Sequence, residues 1–265
     1  MRRDYIFWGA VLILLGGLMF LNTADIRLPG GINPMNLFWP SVLILLGGWI
    51  MVGYFLRGNV EDEQVSIDLQ GASQASLKLS HGAGHLVLGA GASPGQLLTG
   101  TFAGGVKQSA HLSGDRLDAH LEARPFIFPP FLSGWQGLEW NFNLNRDIPL
   151  ALRLETGASQ SELDLRELQV TDLKVSTGAS KTDITLPANA GETTVKVEMG
   201  AASLDMVVPD GVAARIRAEH GAVALEVDTA RFPYSNGIYE SADYSSAQNK
   251  VDIMIQAGAG RVAVH

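Results

Sequence analysis

Ser93 has the most suggestive neighbours in the chain. Gly91-Ala92-Ser93-Pro94-Gly95 matches the G-x-S-x-G pattern, in which a strained strand-to-helix turn presents a serine nucleophile. Pro94 follows the serine and no helical period follows Gly95, so the match reads as a glycine-rich turn. His81 and His220 each precede a glycine of an internal repeat, which predicts a stacked column shared with Thr156, Thr177, Met199 and Ala257. Two imidazoles on one column could ligate a metal, but no HExxH motif or histidine–carboxylate cluster joins them. Glu162, Asp164, Asp183, Asp205 and Glu226 alternate along predicted strands, as the solvated face of a sheet does. With 0 cysteines there are no disulfides, zinc–thiolate sites or thiol catalysis. Phosphate loops, dinucleotide fingerprints and paired catalytic carboxylates are missing too. The expectation is a protein that is not an enzyme, with no catalytic residues, no cofactor and no metal. A site assembled from loops, with Ser93 and His81 the first residues to mutate, is the remote alternative.

The 265 residues carry a formal net charge of -8, with 46% hydrophobic and only 17% charged residues. Mean hydropathy is +0.14, high for a soluble protein. The acidic balance excludes nucleic acid as a partner, because its binders concentrate Lys and Arg. The apolar content excludes disorder, and the 30 glycines show no collagen period.

Two charge-free runs, 5–22 and 35–56, explain part of that hydropathy. As helices they would measure roughly 27 and 33 Å, about the thickness of a hydrocarbon core. Aromatic residues flank them: Tyr5, Phe7 and Trp8, then Phe20, Phe38 and Trp39, then Tyr54 and Phe55. Residues 1–57 are therefore expected to form a transmembrane hairpin, followed by an acidic linker at 58–63. The second run repeats the first: Phe7–Gly17 recurs as Phe38–Gly48 with nine of eleven positions identical. That duplication argues against a cleaved signal peptide, which would need no twin. Gly9 and Gly16, like Ser41 and Gly48, lie seven apart on one helix face, where small residues let helices approach. Arg2, Arg3 and Arg57 flank the pair outside and Arg27 lies between its helices. The positive-inside rule then predicts a multi-pass protein of the cell membrane, with both termini and the β domain in the cytoplasm.

From residue 64 to 265 the pattern changes to short alternating strands. Gly-Ala pairs at 157–158, 178–179, 200–201 and 221–222 are spaced by 21, 22 and 21 residues. An apolar alternation precedes and follows each pair, and Gly82 and Gly258 mark related copies. The unit is a strand, a Gly-Ala corner, a strand and a turn. One copy cannot bury its apolar face alone, so copies must stack into an all-β solenoid or a stacked pair of sheets. Gly82, Gly157, Gly178, Gly200, Gly221 and Gly258 are then corners, where a side chain would strike the next rung. Two insertions break the period, near 124–142 and 231–247. In the first, Trp140 and Phe142 read as strand core. Phe126, Ile127, Phe128, Phe131 and Trp135 read either as a lid over the end of the stack or as a membrane or partner contact. The second reads as a surface loop between rungs.

The Phe-Trp-Pro-x-x-x-Leu-Ile-Leu-Leu-Gly-Gly type of segment resembles the LiaI/LiaF-like membrane region. Leu154–Ala158 and Val175–Ala179 resemble the "toast rack" repeats of LiaF-like cell-wall-active antibiotic response proteins. The resemblance covers nearly the whole chain. It implies a bacterial membrane protein tied to envelope-stress signalling, some relatives restraining a sensor histidine kinase, and it carries no catalytic residues. The expected function is a membrane-anchored regulatory scaffold. Its partners would be the lipid bilayer and a membrane sensor kinase or another envelope-stress protein. The alternative is a structural solenoid that self-assembles end to end as an oligomer.

Overall fold

The computed structural model describes residues 2–23, 34–55, 62–124 and 138–265. The chain divides into two compact units, one holding the helices and the other the strands. In the first, helix α1 (Arg2–Thr23) and helix α2 (Phe38–Phe55) touch each other and a 3-10 turn at Pro34–Leu37. Pro40 falls in the first turn of α2, where its missing N–H has no intrahelical partner to lose. Ile13 and Ile44 are 78% and 74% exposed, and Leu12, Phe20, Trp39 and Leu43 also point outward. Among the described residues no helix is long and apolar enough to cross a membrane.

The second unit is built on long bent strands. They are β2 (Gln74–Ala90), β7 (Pro149–Asp164), β10 (Glu192–Val207), β11 (Ala213–Val227) and β14 (Lys250–Val264), with β8 (Gln169–Thr177) and β9 (Lys181–Thr185) together forming one more rung. They stack in parallel in the order β2, β7, β8/β9, β10, β14, β11. In β7, Leu150, Leu152, Leu154 and Thr156 point inward, Gly157 and Ala158 both point out, and Ser159, Ser161 and Leu163 point inward again. Two successive outward residues bend the strand while keeping its alternation on one interior, so each rung contributes an arm to each of two sheets. The inward columns run across the rungs, as in Leu77, Leu152, Leu173, Val195, Ile253 and Ile216.

The corner glycines form a column in the order Gly82, Gly157, Gly178, Gly200, Gly258, Gly221. A Cβ on Gly157 would lie 2.5 Å from the Gly82 carbonyl oxygen. The corresponding approaches are 3.1 Å at Gly178, 3.0 Å at Gly200, 2.8 Å at Gly258 and 2.7 Å at Gly221, each to the glycine oxygen of the preceding rung. A Cβ on Gly82, at the start of the column, would meet nothing within 4 Å. Backbone hydrogen bonds set this spacing: Ala179 N donates to Gly157 O and Ala201 N to Gly178 O, both at 2.9 Å.

The stack departs from the expected succession of rungs in three places. The last strand, β14, lies between β10 and β11, paired in parallel with both. Residues 62–123 and 138–144, before β7, supply a cap as well as β2. On one arm β5 (Arg116–Ala123) flanks β2, with β4 (Val106–Ser113) antiparallel to it. On the other arm β6 (Leu138–Leu144) flanks β2, followed by β3 (Gln96–Ala103) and β1 (Asp62–Asp68). Trp140 and Phe142 of β6 are buried, with Phe102 5.0 Å from Trp140 between ring centres. The 231–247 insertion, expected as a loop between rungs, is instead a hairpin on the far margin. Its strand β13 (Ile238–Glu240) pairs with β11 at Arg215 and Ile216, β12 (Tyr234–Ser235) pairs with β13, and Phe232 and Tyr244 are buried.

The glycine column predicts opposite results for one substitution at two positions. Gly157→Ala should destabilise the β unit by about 1–3 kcal/mol, as overpacking against rigid backbone does. Gly82→Ala, facing open space, should leave stability within about 0.5 kcal/mol. Urea unfolding of both variants followed by circular dichroism checks this, and equal losses would refute the steric account.

Candidate functional site

The residues with the most chemistry in the sequence are kept apart by the fold. Ser93 lies in an exposed turn between β2 and β3, so a strand rather than a helix follows it. His81, Thr156, Thr177, Met199, Ala257 and His220 share one column in that order. Five rung spacings of about 4.8 Å separate the two histidines, so they cannot share a metal ion. His81 is buried with its ring centre 4.8 Å from that of Trp140, as a packed core side chain. Hydroxyls line the interior beside the corners. Thr177 donates to Ser180, Ser180 and Thr182 lie 3.3 Å apart, and Ser159 and Ser161 lie 3.5 Å apart.

Outward residues form charged rows. On the first arm a basic row runs Lys78, Arg153, Lys174, Lys196, with Arg217 at its far end. Beside it lie Glu155 and Glu198. Lys78 pairs with Glu155 at 2.8 Å, while Lys196 and Lys174 pair with Glu198 at 3.0 and 3.2 Å. Hydrogen bonding from Lys78 holds the Glu155 carboxyl below its ordinary value, and Lys196 and Lys174 do the same for Glu198. These ion pairs are solvent-exposed and add little to stability.

On the second arm Glu162, Asp183 and Asp205 stand on adjacent rungs along a shallow groove of about 470 Å³, with Val87 and Val207 among its walls. Each carboxylate already has a basic neighbour: His85 is 3.5 Å from Glu162, Lys181 3.0 Å from Asp183, and His265 3.6 Å from Asp205. Farther along, Arg166 lowers the pKa of Asp164 and Arg261 that of Glu226 through direct hydrogen bonds. Among the described residues no group of three or more His, Asp or Glu side chains is placed to hold a metal ion.

A further polar cluster was not read from the sequence. Arg215 pairs with Glu240 and lies 4.1 Å above the Tyr244 ring, while Arg217 pairs with Asp252 at 2.6 Å. Burial raises the Tyr244 phenol pKa above its usual value. Glu240 and Tyr244 come from the irregular 231–247 segment, which has no period to place them. The Arg215 contacts tie that segment to β11, and the Arg217–Asp252 pair ties β11 to β14.

Among the described residues the glycines of the helix faces meet no close neighbour. A Cβ on Gly9, Gly16 or Gly48 would touch nothing within 4 Å, so the tight contact expected at these positions and Ser41 is not made by those glycines. Phe126, Ile127, Phe128, Phe131 and Trp135 lie outside the described residues.

No curated protein sequence matches the chain. A solved structure from Clostridium sporogenes, described as a candidate cell adhesion protein, superposes with a TM-score of 0.71 at 22% identity, over 77% of this chain and 98% of that one. It shares the fold. A candidate adhesin from Bacteroides fragilis covers 77% of this chain and 97% of its own, but at 5% identity and a TM-score of 0.30. Residues 56–207, more than half of the chain, match the family described as the N-terminal domain of toast_rack, DUF2154. With its bent rungs stacked on a shared glycine corner, the chain belongs to the toast-rack family.

Proposed function

We propose that this protein is a membrane-anchored, non-enzymatic scaffold, in which a helical hairpin holds a toast-rack domain at the membrane surface for protein–protein contacts. The outward apolar side chains of the two helices carry the reading. Ile13, Phe20, Leu43 and Ile44 lie on charge-free runs, and each would lose about 1.5–3 kcal/mol by facing water rather than hydrocarbon. The rack supports the scaffold half of the reading, since most of its charged rows are ion-paired and its hydroxyls face the interior. Its resemblance to LiaF-like proteins favours regulation in envelope-stress signalling, with a membrane sensor kinase or another envelope-stress protein as partner. The candidate cell adhesion protein of the same fold favours a second reading, contact outside the cell, which depends on the side of the membrane the rack occupies.

The unequal ends of the stack weigh against filaments formed by end-to-end stacking. At one end β1 carries Asp62, Glu63 and Asp68 and a register shift at Ile67/Asp68, while the other end is the apolar margin of β11. Charges and bulges on a margin strand disfavour continued pairing.

Two measurements test the anchoring. After extraction of cell membranes with alkaline carbonate the full chain should remain in the pellet. Ile13→Arg combined with Ile44→Arg should shift most of it to the supernatant, since each mid-helix charge costs about 2.5–3.5 kcal/mol. Release of the unaltered chain would rule out the anchor. For sidedness, Gly30→Cys and Ser245→Cys give single thiols in a chain with 0 cysteines. An impermeant maleimide on intact cells should label Gly30→Cys alone if the rack is cytoplasmic. Labelling of Ser245→Cys would place the rack outside and favour adhesion.

A further inference from the structure

Among the described residues the rack has margins at β1, β4, β12 and the part of β11 beyond its pairing with β13. Three are protected in the usual ways. β1 is charged and irregular, and its inward Val65 and Ile67 are buried. β4 presents Lys107, Gln108, Ser109 and His111, and β12 is two residues long. The far arm of β11 has no such protection. Ala222-Val223-Ala224-Leu225-Glu226-Val227 contains no Lys, Pro or bulge, and its single charge, Glu226, pairs with Arg261 at 2.6 Å. Val223, Leu225 and Val227 point inward but are only half-buried, whereas their neighbours Val262 and Val264 on β14 are fully buried.

We propose that this margin pairs with β11 of a second copy, antiparallel across a two-fold axis at Leu225. That register sets Val223 opposite Val227 and Leu225 opposite itself, so the half-buried residues of both copies close one interior. It also sets Glu226 opposite Ala224 of the second copy, keeping the acidic side chains apart. Ala224 is beside Arg261 of β14, so the second copy's Glu226 would lie in line with Arg261 across Ala224, on the same side of β14 as the Glu226 that Arg261 already pairs with. A dyad at Glu226 would oppose two carboxylates directly, and one at Ala224 would draw the corner Gly221 into the pairing. The charged, shifted β1 offers no matching strand, which leaves β11 as the one margin complementary to itself. Two-fold pairing of this kind closes as a dimer and cannot extend into a filament. The proposal concerns the rack and does not depend on the membrane reading.

Single cysteines in the full chain, purified in detergent, test it. Opposed Cα atoms in an antiparallel pair lie about 4.5–5.5 Å apart, within disulfide range. Ala224→Cys and Glu226→Cys, on differently tagged copies co-expressed and oxidised, should give the mixed disulfide in at least tenfold excess over either same-variant product. Both positions are exposed, and circular dichroism verifies that each variant folds. Ser109→Cys on the β4 margin should give no disulfide. Absence of the mixed product, dominance of the Ala224→Cys homodimer, or equal linking at Ser109→Cys would each overturn the proposal.

Discussion

Each rung of the rack is tied to its neighbour where the chain bends. The carbonyls of Gly157 and Gly178 accept hydrogen bonds from the alanine N–H one rung on, and the same carbonyls occupy the space that a Cβ on the next glycine would need. A side chain there would have to displace backbone, which is costly because backbone positions are fixed by ladders on both arms. These glycines have no left-handed φ to explain them, in contrast to Gly191 and Gly211 in the turns at the other margin, with φ of +76° and +79°. The glycine requirement at the corner is therefore one of space. Once the corner is set, both arms inherit their register from it, and the apolar columns, hydroxyls and charged rows follow.

The repeat made much of this readable. A Gly-Ala pair at steps of 21 and 22 residues, with alternation on both sides, identifies corresponding residues on different rungs. The column from His81 to His220 follows from that equivalence alone. The order of rungs does not, because β10, β11 and β14 present nearly interchangeable apolar columns, and the parallel ladder accepts any of them as a neighbour. The 231–247 segment was opaque for a related reason. Phe232 and Tyr244 have no periodic neighbours, so nothing local separates an aromatic residue in a loop from one plugging the end of a core. The charged residues between strands were legible as a solvated face, but not the pairing that matches Lys174 and Lys196 to one Glu198.

The same arrangement limits which reactive groups can meet. In a stacked fold, residues at one position of the repeat become neighbours in space, while residues at different positions stay on separate columns. A nucleophile, its base and an orienting acid would have to recur at three suitable places across rungs. Among the described residues the inward columns are mostly aliphatic, with hydroxyls beside the corners, and most of the outward rows are ion-paired.

The position of β14 bears on how the chain is made. Strands β10 and β11 are joined by the short turn from Val208 to Val212, yet a strand's width stays open between them until Lys250–Val264 is inserted. A ribosome delivers residues in order, so the stack from β2 through β10 can assemble as it emerges, whereas β11 must wait with one side empty. The far end of the rack is then the late-folding part of the molecule, and a nascent chain halted between β11 and β14 would present two unpaired apolar strands to chaperones and proteases at once.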